Sequence, residues 1–118
     1  MASDGSVYVA DQFNHRIQKF TSEGVFVSQW GMQGTDNGEF NEPGGVAVAT
    51  DGSVYVADMD NHRIQKFTSD GVFVSKWGTE GTDDGEFDYP VGVAVASDGS
   101  VYVSETEGNR IQKFAPGS

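Results

Sequence analysis

Cysteine is absent, which excludes a disulfide framework and any thiolate metal site. Basic residues are scarce: seven Lys and Arg stand against eighteen Asp and Glu, for a formal net charge of −11. Six of the seven fall in one recurring place, as Arg16, Lys19, Arg63, Lys66, Arg110 and Lys113, with Lys76 apart. A nucleic-acid surface needs a basic footprint to neutralise phosphates, so nucleic acid is excluded as a partner. The same field disfavours an anionic membrane and favours cations or basic partners. No apolar run approaches a membrane span and no signal peptide is visible, which makes a cytoplasmic setting the default expectation. Helical periodicity is missing throughout. What remains is 118 residues, enough for one small domain, with 36% hydrophobic and 12% aromatic residues to build a core.

The chain repeats itself. "NHRIQKF" at residues 14–20 returns unchanged at 61–67 and as "GNRIQKF" at 108–114. The period is 47 residues, and 36 of 47 positions agree between residues 4–50 and 51–97, so duplication is certain. Residues 98–114 begin a third copy, and 115–118 read as a tail apart from the repeats.

Each copy holds four short strand signals. "GVAVAT" and "GVAVAS" form strand a, "SVYVAD" strand b, "RIQKFT" strand c, and "VFVSQW" or "VFVSKW" strand d, all rich in Val, Tyr, Phe and Trp. Asp-Gly between a and b predicts a two-residue hairpin, and "SEG" or "SDG" turns c into d. Strand b is apolar on both sides, with Val54 and Val56 one way and Tyr55 and Ala57 the other, so each sheet needs a neighbour on both faces. Four antiparallel strands every 40 to 50 residues predict propeller blades. The fold class is therefore all-β.

The segment "PGGVAVATDGSVYVADMDNHRIQKFTSDGVFVSKWG" at residues 43–78, with the Gly-rich "GTDDGEFDYPVGVAV" that follows, resembles the NHL repeat family. The resemblance covers nearly the whole chain. It implies β-propellers, commonly six-bladed, with strand a lining the channel and strand d outside. It does not fix a function, since such propellers include RNA-binding modules, a zinc-dependent amidating lyase and extracellular sensors. The third copy departs from the pattern at Gly108–Asn109 and Ser104–Glu105.

The strand order b-c-d, a-b-c-d, a-b-c reads as a window on a longer array. Such an arc leaves two apolar blade faces open, and copies joined head to tail would cover them. The expected partner is the chain itself, as a homodimer closing six blades, with a homotrimer the alternative.

Candidate residues recur in register. Asp11 with Arg16, Asp58 with Arg63 and Glu105 with Arg110 place an acid at the end of strand b and an Arg five residues on. The recurrence points to structural ion pairs, because an active site would break the symmetry. His15 and His62, with Asn109 in the third position, suit structural hydrogen bonding better than a metal, which needs converging ligands. Asp83, Asp84, Glu86 and Asp88 offer oxygen to calcium, but their spacing fits no EF-hand loop and a solvated acidic turn is the expectation. No cofactor is expected, and no nucleophile-base-acid set points to an enzyme.

Eight of the eleven differences between the two full repeats lie in the b–c loop and d–a connector, at one end of the blade. A ligand face there would draw on Gln12, Phe13, Met59, Asp60, Thr106 and Glu107. The expected function is a self-assembling scaffold or binding module without catalysis. The alternative is a propeller that takes a basic protein or peptide on its acidic loop face, and a metal-dependent lyase or hydrolase ranks last.

Overall fold

A computed structural model describes residues 2–107 and 109–116 of the chain. Met1, Gly108 within the third "GNRIQKF", and Gly117 and Ser118 of the predicted tail lie outside the described residues. Among the described residues, ten strands form three antiparallel sheets in sequence order. Blade 1 holds β1 (Val7–Asp11), β2 (Arg16–Phe20) and β3 (Phe26–Trp30). Blade 2 holds β4 (Pro43–Val48), β5 (Val54–Asp58), β6 (Arg63–Phe67) and β7 (Phe73–Trp77). Blade 3 holds β8 (Pro90–Val95), β9 (Val101–Glu105) and β10 (Arg110–Phe114). The register repeats: Asp11 faces Arg16, Asp58 faces Arg63 and Glu105 faces Arg110.

The core lies between blades. Tyr8 and Ile17 of blade 1 pack with Phe40, Val54, Val56 and Phe67, and Trp30 joins them. Tyr55, Ala57 and Ile64 of blade 2 pack in the same way with Phe87, Val101 and Val103. Strand b is apolar on both sides for this reason: one side serves the blade before and the other the blade after. The inner strands β4 and β8 approach so closely that a Cβ on Gly45 would lie 2.7 Å from the Val91 carbonyl oxygen, which is why glycine sits there.

Three local expectations are corrected. Strand a starts earlier than read, at Pro43 and Pro90, so Gly44 lies in β4 and not in the connector. The a–b turn is not a two-residue Asp-Gly hairpin. Ala49 donates to Ser53 and Gly52 donates back to Ala49, leaving a three-residue loop in which Gly52 has φ +90°. The Asp51 carboxylate accepts from the Ser53 N–H at 2.9 Å and holds the loop. The b–c loop also contains a single 3₁₀ turn, Gln12–Asn14 in blade 1 and Met59–Asn61 in blade 2, too short to leave a periodic signal.

Candidate functional site

The b–c loop must reverse the chain within a few residues. In blades 1 and 2 the 3₁₀ turn does this, and the next residue takes a left-handed conformation, His15 at φ 54° and His62 at 53°; Asn109 holds the equivalent position of blade 3 at φ 52°. Asn tolerates that region well, which accounts for the exchange at 109. In that position His15 Nδ1 accepts from the Glu42 N–H at 3.0 Å, and His62 Nδ1 from the Tyr89 N–H at 3.3 Å. Each histidine thereby clasps the connector leading into the next blade.

Behind the loop, one carboxylate gathers several donors. In blade 2, Asp58 Oδ2 accepts from Arg63 Nε at 2.7 Å, Asn61 Nδ2 at 3.0 Å and Gln65 Nε2 at 3.1 Å, while Oδ1 takes the Asn41 N–H at 2.8 Å. Arg63 then donates to the carbonyls of Thr35 at 2.9 Å, Asp36 at 3.1 Å and Glu39 at 2.9 Å. Gln65 donates to the Glu39 carbonyl at 2.6 Å and accepts from the Gly38 N–H at 2.9 Å. The connector from blade 1 is thus bound into blade 2 by backbone contacts that ignore its side chains. Blade 3 repeats the arrangement: Arg110 reaches Thr82, Asp83 and Glu86, Gln112 reaches Glu86 and Gly85, and Glu105 takes the Asp88 N–H.

The acidic connectors owe part of their composition to this. Glu39 folds back to accept the Asp36 N–H at 3.1 Å, and Glu86 the Asp83 N–H at 3.2 Å. Both close the turn that presents its carbonyls to the Arg. Among the described residues, no three His, Cys, Asp or Glu side chains are grouped to hold a metal ion. Three of the four Lys residues lie over the tyrosines of their own blades, Lys19 at 5.4 Å from the Tyr8 ring, Lys66 at 5.4 Å from Tyr55 and Lys113 at 5.6 Å from Tyr102.

Burial by itself would raise the Glu105 carboxyl, but hydrogen bonds from Arg110, the Asp88 N–H and Gln112 outweigh it and leave the group below its ordinary 4.5. A carboxylate with a depressed folded pKa stabilises the fold above its unfolded value and loses that contribution as pH falls through the folded value. The thermal midpoint should therefore drop below about pH 4.5. Glu105→Gln should show a shallower drop over that window, measured by circular dichroism melts from pH 7 to pH 3. An unchanged slope would contradict the assignment.

The six loop-face residues are placed unevenly. Gln12 donates to Glu42 Oε1 at 3.4 Å, and Asp60 neighbours the same Glu42 carboxylate, so Gln12 and Asp60 meet through a residue the sequence reading passed over. Burial, and then the Glu42 carboxylate, raise the Asp60 carboxyl above its usual range. Phe13 projects into solvent, 78% exposed. Thr106 is tied by its N–H to the Tyr89 carbonyl, and Glu107 accepts on its carbonyl from Asn109. Met59 is half-buried at the head of its 3₁₀ turn. Gln65, fully buried in mid-strand, was also passed over; its recurrence as Gln18 and Gln112 was the available signal.

The pattern that defines the NHL repeat matches residues 40–67 and 87–114, each running from a connector Phe to the end of strand c. Among curated proteins none matches. The fold recurs in solved structures: a protein of unknown function from Bacteroides thetaiotaomicron (23% identity, TM-score 0.77, covering 95% of this chain and 32% of that one); hydrazine synthase of Kuenenia stuttgartiensis (15%, 0.76, 99% and 31%); and virginiamycin B lyase from Staphylococcus aureus (22%, 0.67, 100% and 40%). The chain spans about a third of the length of the first of these. Two of the three are enzymes by name, but identities this low carry the fold alone.

Proposed function

We propose that this chain of NHL repeats is a non-catalytic β-propeller scaffold whose copies join head to tail, through the front of blade 3 and the back of blade 1. One observation carries the reading. Ile17 and Ile64 are fully buried by the blade that follows, whereas the equivalent Ile111 is 70% exposed. Around it Gly92, Val93, Ala94, Tyr102 and Ser104 line an open apolar depression of about 300 Å³. The complementary back face is open too, with Val9 exposed where Val56 and Val103 are buried. Covering one such Ile is worth roughly 1.5–3 kcal/mol, and the two open faces match in kind because the chain already pairs such faces twice. Two copies of three blades would make a six-bladed ring. Three copies would do so only if one b–c pair, β1 with β2 or β9 with β10, were displaced from each.

Ile111→Glu places a charge at the centre of that interface. It should lower the mass in solution by sedimentation to that of one chain, with the β-sheet circular dichroism spectrum kept. Equal masses for variant and parent would sink the reading.

The second reading is a loop face that takes a basic protein or peptide. It rests on the net charge of −11 and on the raised Asp60 carboxyl, whose repulsion with Glu42 an approaching cation would relieve. Capture by basic peptides that fails with Asp60→Asn would favour it. No helix among the described residues is long and apolar enough to cross a membrane.

A further inference from the structure

The connector between blades 1 and 2 carries the chain's one Asn-Gly pair, Asn37–Gly38, and both the connector and the blade that seats it lie within the chain. We propose that Asn37 is a modification site, converted by water to aspartate or isoaspartate, and that Gln65 of blade 2 holds the reaction off for as long as the connector is seated. The site is independent of ring closure. The Gly38 backbone nitrogen, once its proton is lost, attacks the side-chain carbonyl carbon of Asn37. The new C–N bond closes a succinimide, and ammonia leaves. Water then adds to one of the two ring carbonyls and cleaves its C–N bond. One product is Asp at 37 in the ordinary main chain; the other is isoaspartate, with the main chain routed through the former side chain. One water enters and one ammonia leaves, with nothing oxidised or reduced.

Asn37 is exposed, and Gly38 puts no side chain in the way: even a Cβ placed there would meet no atom within 4 Å. The other four Asn precede His15, Glu42, His62 and Arg110, whose side chains crowd the attacking nitrogen. Asn14 and Asn61 are further tied to Asp11 and Asp58. What opposes the reaction at Asn37 is the seat. Glu39 donates its N–H to the Asp36 carbonyl at 3.0 Å, and Gly38 takes the positive φ of 83°, the pattern of a type II turn. The Gly38 N–H donates to Gln65 Oε1 at 2.9 Å, and Arg63 Nη2 holds the Asp36 carbonyl at 3.1 Å. The nitrogen that must attack is anchored to a fully buried side chain, and the peptide groups on both sides of Asn37 are fixed. Closing the ring requires the turn to leave blade 2.

The next connector shows which product returns to the seat. Asp84 stands at the equivalent place, with the Gly85 N–H on Gln112 Oε1 at 3.0 Å and the Glu86 N–H on the Asp83 carbonyl at 3.0 Å. Asp at 37 therefore reseats. Isoaspartate adds a main-chain carbon between Asp36 and Gly38, so the bonds of Gly38 to Gln65 and of Glu39 to Asp36 cannot both re-form. The site is a one-way record of the time the connector spends off blade 2.

The test incubates the 118-residue protein in mildly alkaline buffer with and without denaturing urea. Ion-exchange chromatography counts conversion, since each event makes the formal charge of −11 one unit more negative, and peptide mapping places it. In urea, Asn37 should convert ahead of the other four Asn. In the folded protein its conversion should be slower by about tenfold or more, because several hydrogen bonds must open first. Gln65→Met keeps the size and removes the acceptor, and should raise the folded rate by about tenfold. Gln112→Met, the same change in blade 3, should leave it as it was. The comparison of folded with urea-treated parent needs no variant and stands if Gln65→Met fails to fold. Asn37→Asp should melt with the parent. Conversion as fast in the folded protein as in urea, another Asn leading in urea, a folded Gln65→Met no faster than the parent, or an equal rise with Gln112→Met would each overturn the proposal.

Discussion

Asp58→Ala should cost the fold about 3–5 kcal/mol, the range for removing one partner of a buried ion pair. Asp11→Ala, the same change one repeat earlier, should cost about 1 kcal/mol or less, as exposed pairs do. The two carboxylates have the same neighbours within their blades, so the difference isolates the connector. Asp58 and Arg63 side chains are 0% and 8% exposed, while Asp11 and Arg16 are 24% and 34% exposed. Without Asp58, Arg63 and Gln65 keep their acceptors on residues 35–39 but lose the anion between them, and the half-buried Asn41 N–H loses its acceptor. Urea denaturation read by tryptophan fluorescence gives both numbers. Because a domain of this size holds only about 5–15 kcal/mol in all, Asp58→Ala should move the midpoint by a large fraction. Equal shifts for the two variants would mean that the connector does not bind blade 2 through this network.

Phe40→Ala should cost a similar amount, about 3–5 kcal/mol, by opening a cavity that the surrounding sheets cannot close. Phe40 is fully buried, tilted against Phe67 at 5.6 Å, and belongs to the cluster that includes Trp30 of blade 1. It is the residue by which the connector reaches the interblade core, so its loss also loosens blade 1 from blade 2. Hydrogen exchange should quicken first in β1–β3 of this variant. Phe40→Leu, which keeps most of the volume, should recover much of the stability. Phe13→Ala, at a side chain 78% exposed, should shift the midpoint by no more than about 0.5 kcal/mol. A Phe40→Ala effect as small as that at Phe13 would place the core elsewhere.

The strands and their grouping into blades were legible in the sequence because alternation and repetition are local signals, each visible within one 47-residue unit. The Asp-Gly turn misled because the dipeptide suits a two-residue hairpin by its angles. Here Asp51 instead holds the Ser53 N–H, and only Gly52 takes the positive φ. The 3₁₀ turns and the left-handed His15 and His62 left no trace, since the backbone N–H groups that their imidazoles accept from, on Glu42 and Tyr89, lie 27 residues further on. The connector was legible as an acidic loop but not as a clasp. Its side chains suggested solvent, while the contacts that bind it to Arg63 and Gln65 are made by its carbonyls. Glu42 was missed for a related reason: it acts between blades, and a period within one chain does not say which repeat a loop residue meets.

Light scattering after size exclusion, at two protein concentrations, tests the central claim most directly. The claim is that the open front of blade 3 and the open back of blade 1 are one interface seen from its two sides. A chain of 12.6 kDa that closes a ring with one copy of itself should elute at twice that mass. A single species of 12.6 kDa at both concentrations would contradict it.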